Sequence, residues 1–194
     1  MIKSTAMLLE ELKEYQDPFG KIKRLCREEK LFPLTKGLYE TDPSVSGYLL
    51  APVLFGPSYL SFEYALSFHG LIPETVHEYS SATCGKGKKK HYRNHFGDYS
   101  YQDVPTAAYP YGIRIEEENG RPYSIATPEK ALCDKLYGLP PVKNLAELRN
   151  LLFDDLRIEP EDLAQLDAEA VTDLTDKYHS RNVRFLAKCL RRPR

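Results

Sequence analysis

The chain has 194 residues, 42% of them hydrophobic and 28% charged, which suits a soluble globular protein of one domain, or of a small module joined to a larger one. Its longest apolar runs fall short of the roughly 20 residues needed to span a bilayer. Glu10, Glu11 and Lys13 break any signal-peptide core, and four cysteines scattered singly (Cys26, Cys84, Cys133, Cys189) argue against a disulfide framework. A net charge of −1 would argue against a polyanionic partner if the charge were evenly spread.

The first 42 residues are predicted to form helix, helix and hairpin. Met7, Leu8, Leu12 and Tyr15 recur at helical spacing over 5–15. Asp17-Pro18 pairs a cap with a first-turn proline, opening a second helix to about residue 30. On it Phe19, Ile22, Leu25 and Cys26 share one face, and Lys23, Arg24, Arg27 and Lys30 the other. Two short strands, 31–34 and 38–41, follow, turned at Thr35-Lys36-Gly37. A basic helix followed by a hairpin with a basic tip is winged-helix grammar, with the helix in the major groove and Lys36 on phosphate. Only two helices precede this hairpin, where three are usual.

Residues 42–56 read as a linker or crossing segment, packed from Tyr48 to Phe55 because that stretch is apolar. Ser61 is placed to cap a helix that Gly70 ends in a left-handed conformation. Strands are predicted at 75–80, 92–96, 99–104, 111–117 and 121–125, the last two turned by Glu118-Asn119-Gly120. Residues 81–90 read as a flexible basic loop. From about residue 127 the chain is expected to be helical. Thr127 caps, Pro128 takes the first helical position and Glu129 meets the positive end of the dipole. Asn144, Glu159-Pro160, Asp167 and Ser180 open the later helices. The expected fold is α+β: a reduced winged-helix-like module over 1–42, then a mixed α/β domain over 43–194 ending in a helical bundle.

Charge is segregated along the chain. Residues 86–93 hold five Lys or Arg and no acid, among them Lys88, Lys89 and Lys90. Residues 144–176 hold ten acids against Arg149 and Arg157. Residues 177–194 hold seven Lys or Arg and no acid: Lys177, Arg181, Arg184, Lys188, Arg191, Arg192 and Arg194. On the wheel of a continuous helix, Lys177, Arg181, Arg184, Lys188 and Arg191 form a stripe opposite Val183, Leu186 and Leu190, suited to a polyanion or to the acidic helices of the same chain.

No catalytic or cofactor signature emerges. The G-x-S-x-G, H-E-x-x-H, P-loop and dinucleotide patterns are missing from the sequence, and no cofactor is expected. Cys84, His91 and His95 show a zinc-like spacing without a fourth ligand, so no metal is expected either. His69 reads as a structural histidine at a helix end. Asp98, Asp103, Glu116 and Glu129 could serve a metal-dependent nuclease only through an unspecific spacing. Fourteen tyrosines suit base stacking, though in alternating strands they more often half-bury in the sheet.

Taken in order, the basic helix, the Lys36-Gly37-Leu38-Tyr39 hairpin, the run Ser61-x-x-x-Ala65-Leu66-x-x-x-Gly70-Leu71 and the run Thr127-Pro128-Glu129-x-Ala131-Leu132-x-Asp134 resemble the AbiEi-type antitoxins of type IV, abortive-infection toxin–antitoxin systems. The resemblance covers about residues 19–137. It implies a cytoplasmic DNA-binding autorepressor whose N-terminal module binds repeats in its own promoter. It also implies a C-terminal domain that neutralises a nucleotidyltransferase-type toxin without a stable complex. On the matching positions DNA contact would fall to Lys23, Arg24, Arg27, Lys30 and Lys36; the basic charge of the 86–93 segment and of the last helix, apart from the resemblance, adds Lys88, Lys89, Lys90, Arg181, Arg184 and Lys188 as candidate phosphate contacts. The two helix motifs carry no catalysis. One small module buries only about 600–1,000 Å² on DNA, so specific binding calls for a homodimer or for the C-terminal stripe. The alternative is a protein-interaction module that keeps the antitoxin domain and does not bind DNA.

Overall fold

The computed structural model describes residues 1–191. A strand absent from the sequence reading, β1 (Ile2–Ser4), opens the chain. It leads into α1 (Thr5–Glu11), α2 (Pro18–Arg27) and the hairpin of β2 (Phe32–Thr35) and β3 (Leu38–Glu40). The three strands form an antiparallel sheet in the order β1-β3-β2. Leu8, Ile22 and Leu31 close a small core between the helices and this sheet. The first helix stops at Glu11 rather than Tyr15, with Leu12 as its cap. The second stops at Arg27, because Glu29 turns left-handed at φ 53°.

Residues 42–56 are not an extended linker. They coil into a 3-10 turn, Gly47–Leu50, and a short helix α3 (Ala51–Leu54), both packed on the main core. The chain continues through β4 (Tyr59–Leu60), α4 (Phe62–Phe68), β5 (Tyr79–Thr83), β6 (Lys90–Asn94), β7 (Gly97–Asp103), β8 (Ile113–Glu118) and β9 (Arg121–Ala126). These strands form one mixed six-stranded sheet in the order β6-β7-β5-β4-β9-β8. β4 is the hinge of its topology, antiparallel to β5 and parallel to β9. Alternation sorts the faces. Tyr99 and Tyr101 donate their hydroxyls to the Gly47 and Ala51 carbonyls at 3.1 and 2.7 Å. Ser80, of opposite parity, hydrogen-bonds the α4 end of the chain, accepting from the Tyr64 amide and donating to the Ser61 carbonyl.

The helical remainder follows the predicted starts closely: α5 (Pro128–Tyr137), α6 (Leu145–Asn150) running into a π-helical turn Leu151–Asp155, α7 (Pro160–Leu163), α8 (Ala168–Tyr178) and α9 (Arg181–Leu190). Thr127, Asn144 and Asp167 cap through their side chains, whereas Ser180 occupies its cap position without a side-chain bond. Gly70 ends α4 at φ 72°, and Leu71 N–H reaches back to the Leu66 carbonyl as a left-handed cap requires. Asn182, buried in α9, donates to the Leu136 and Pro140 carbonyls at 2.9 and 3.0 Å and accepts from the Val142 amide at 2.8 Å. Replacing Asn182 with alanine strips several buried backbone groups of their partner, so a loss of about 1–3 kcal/mol in urea unfolding is expected.

At the centre of the molecule lies a polar network. Lys130 and Asp134, one helical turn apart on α5, are both 0% exposed, with Nζ 3.1 Å from Oδ1. Asp134 also accepts from the Tyr59 hydroxyl at 3.0 Å, the Ser61 hydroxyl at 2.6 Å and the Tyr178 hydroxyl. Ser61 therefore does not cap α4 with its side chain. The Lys130 ammonium donates to the Ala108 carbonyl at 2.9 Å and to the Tyr178 hydroxyl, and it lies 4.7 Å from the Tyr178 ring centroid. Every ammonium proton and every carboxylate lone pair is thereby occupied. Gly112 passes so close that a Cβ there would sit 2.8 Å from the Lys130 Cβ.

Burial pushes the Lys130 ammonium below the usual lysine range, against the pull of Asp134. Burial, with the Asp134 charge second, pushes the Tyr59 and Tyr178 phenols far above theirs. Tyr99 and Tyr101 are raised mainly by burial too. For these four the folded pKa exceeds the unfolded value of about 10. Their contribution is fully present below pH ~10 and is lost above it, by roughly 1.4 kcal/mol per pH unit for each. In an alkaline titration their phenolate absorbance is expected to rise together with loss of circular dichroism; full ionisation with the fold intact would contradict this.

Candidate nucleic-acid interface

α2 forms where it does because Asp17 accepts the Gly20 amide at 2.9 Å and Pro18 takes the first turn. Ile22 is buried and Leu25 and Cys26 are half-buried against the small core. Burial raises the Cys26 thiol. Phe19, assigned to the same face by the wheel, is instead 58% exposed. Lys23, Arg24, Arg27 and Lys30 are all exposed.

The hairpin turn next to α2 is fixed by Gly37, at φ 84°, whose carbonyl accepts the Thr5 amide at 2.9 Å. Between helix and hairpin runs an open groove of about 720 Å³, with Lys23 and Arg27 on one wall, Lys36 on the other, and Ile22, Cys26 and Tyr39 among its lining. Among the described residues, Lys23, Arg27 and Lys36 form no ion pair. The other two predicted contacts differ. Glu28 lies 3.8 Å from Arg24 and 3.1 Å from Lys30, and the Lys30 hydrogen bond holds its carboxyl below the usual range. Arg24 and Lys30 therefore carry part of their own counter-charge.

None of the remaining predicted cations lines this groove. The 84–89 loop is tethered rather than free. Asp103 accepts the Thr83 hydroxyl at 2.6 Å and the Gly87 amide at 2.7 Å. Burial opposes ionisation there, but these bonds hold the Asp103 carboxyl below its usual value. Lys86 donates to the Gly56 carbonyl and lies over the Phe55 ring. Lys88 is exposed, Lys90 begins β6, and Lys89 borders a separate cleft of about 290 Å³ that also holds the ion-paired Glu63 and Lys135.

The C-terminal stripe is shorter than the wheel suggests. His179 is left-handed at φ 49° and breaks the helix, so Lys177 belongs to α8, where it lies 4.5 Å from the Tyr111 ring centroid. Arg181, Arg184, Lys188 and Arg191 stand exposed on or just beyond α9 while Val183 and Leu186 are buried. Among the described residues none of these four pairs with an acid of 144–176, so internal neutralisation of the stripe is not observed. Arg192 and Arg194 lie outside the described residues.

The alternative chemistries do not assemble. Asp98 pairs with Arg93, Asp103 ties its loop, Glu116 lies on an edge strand and Glu129 accepts the Asp167 amide at 3.1 Å. His91 lies 3.7 Å from Glu78, and His95 packs at a tilt against the Phe32 ring. Among the described residues no three His, Cys, Asp or Glu side chains gather as metal ligands. His69 hydrogen-bonds the Ala126 carbonyl at 2.8 Å, the structural role assigned to it. No described helix is long and apolar enough to cross a membrane. In comparisons with known proteins, no family model matches the chain, and no curated protein matches it.

Proposed function

We propose that this chain is a DNA-binding regulator of the AbiEi antitoxin type, whose N-terminal residues act as a reduced winged helix. α2 would enter the major groove and the β2–β3 hairpin would reach the neighbouring phosphates. The observation that carries this reading is the convergence of Lys23, Arg27 and Lys36 on one open groove, without acidic partners. The β1-α1-α2-β2-β3 order, with β3 between β1 and β2, supports it, because the third strand braces the hairpin against the helix pair. The order of the α4 and α5 motifs supports an antitoxin role toward a nucleotidyltransferase-type toxin in the cytoplasm. The fully occupied Lys130–Asp134 network fits a scaffold role for α5.

A gel shift on the chain's own upstream region tests the proposal. If six to ten phosphates are neutralised, affinity falls by about 10³ to 10⁵ between 50 and 200 mM salt. Equal affinity for a scrambled duplex would argue against operator recognition, and no binding at low salt would argue against a DNA partner.

A further inference from the structure

We infer that two copies of this chain join edge to edge through β8, continuing the six-stranded sheet across a two-fold axis at Ile115. Among the described residues only β9 pairs with β8. The opposite edge, β6, is flanked by the N-terminal hairpin: Asn94 donates to the Leu34 carbonyl, and the Phe32 ring packs at a tilt against His95. An open edge strand is a template for another chain, and β8 carries Ile115 at 76% exposure.

The register follows from the hairpin. Its two-residue turn, Asn119-Gly120, makes Glu118 and Arg121 the closing hydrogen-bonded pair. Alternation then directs the backbone groups of Arg114, Glu116 and Glu118 toward β9 and those of Ile113, Ile115 and Glu117 outward. A copy related by a two-fold axis normal to the sheet must pair residues of equal parity. Centred on Ile115, the outward groups of 113, 115 and 117 meet those of 117, 115 and 113. The exposed isoleucines face each other, and Arg114 lies opposite the second copy's Glu116 on both sides of the axis. That pair is the non-hydrogen-bonded kind, whose side chains approach most closely. Sliding the centre to Glu116 sets carboxylate against carboxylate, and sliding it to Arg114 sets guanidinium against guanidinium. The Glu116-centred alignment also sets Arg114 opposite Glu118 on both sides, but only the Ile115-centred one pairs opposite charges with no like-charge contact on the axis.

The inference does not depend on DNA binding. Sedimentation equilibrium across the micromolar range tests it on the full chain, with circular dichroism checking that each variant is folded. The wild-type chain is expected to dimerise. R114E and E116R alone are each expected to weaken the dimer about tenfold or more, because each places like charges opposite one another. Mixing the two restores opposite charges at both positions, and a heterodimer of near wild-type affinity is expected. I115K, at an exposed position, is expected to be monomeric. A wild-type monomer throughout the range would overturn the proposal, as would a folded R114E/E116R mixture no more associated than either variant alone.

Discussion

Replacing Asp134 with alanine is expected to destabilise the fold by about 3–5 kcal/mol, a large fraction of the roughly 5–15 kcal/mol that holds a domain together. Asp134 ties α5 to two segments distant in sequence, the β4–α4 junction through Tyr59 and Ser61 and α8 through Tyr178, and pairs with Lys130 on its own helix. Its loss leaves a lysine ammonium at 0% exposure with only a carbonyl and a hydroxyl for company. Lys130→Met is expected to be milder, since the carboxylate keeps three hydroxyl donors. The double variant Lys130→Met/Asp134→Leu is expected to recover much of the loss, because an apolar pair needs no desolvated charge. Urea midpoints at unchanged m-value provide the measurement. A change below about 1 kcal/mol for Asp134→Ala would place the pair among weak surface bridges, contrary to its burial.

The second large effect concerns binding. The triple change K23A/R27A/K36A is expected to leave stability nearly unchanged, because all three side chains are exposed and lack ion-pair partners. It is expected to weaken DNA binding roughly a hundredfold at ~0.15 M salt, the product of three phosphate contacts. R24A/K30A is expected to cost less, since Glu28 already partly neutralises both side chains. A milder triple variant, or equal losses from the two sets, would move the interface away from the groove.

The helix starts were legible because capping is local chemistry. Asp17, Thr127, Asn144 and Asp167 each bond an amide two or three residues ahead. The Asn119-Gly120 turn was legible for the same reason, both residues adopting positive φ. β1 and β4 were not, because three- and two-residue strands carry no usable alternation. β5 was set too early. Its Tyr-Ser-Ser-Ala-Thr sequence has little strand character, and its small side chains fit the close approach of α4, where Ser80 bonds the helix backbone. The apolar 48–55 stretch announced burial but not helicity, since a short apolar run has no period of its own.

The site was partly legible. A wheel sets Lys23, Arg24, Arg27 and Lys30 on one side, but only the folded chain brings Glu28 against two of them. Lys130 and Asp134, four residues apart, look like an ordinary surface pair in sequence. Tyr59, Ser61 and Tyr178, which make the pair a buried hub, arrive from up to 75 residues away.

The central claim is that Lys23, Arg27 and Lys36 neutralise DNA phosphates, and the slope of log affinity against log salt measures it most directly. Wild-type and K23A/R27A/K36A proteins on the same upstream duplex are expected to differ in slope by about 3, near one unit per lost contact. Parallel lines for the two proteins would contradict the claim.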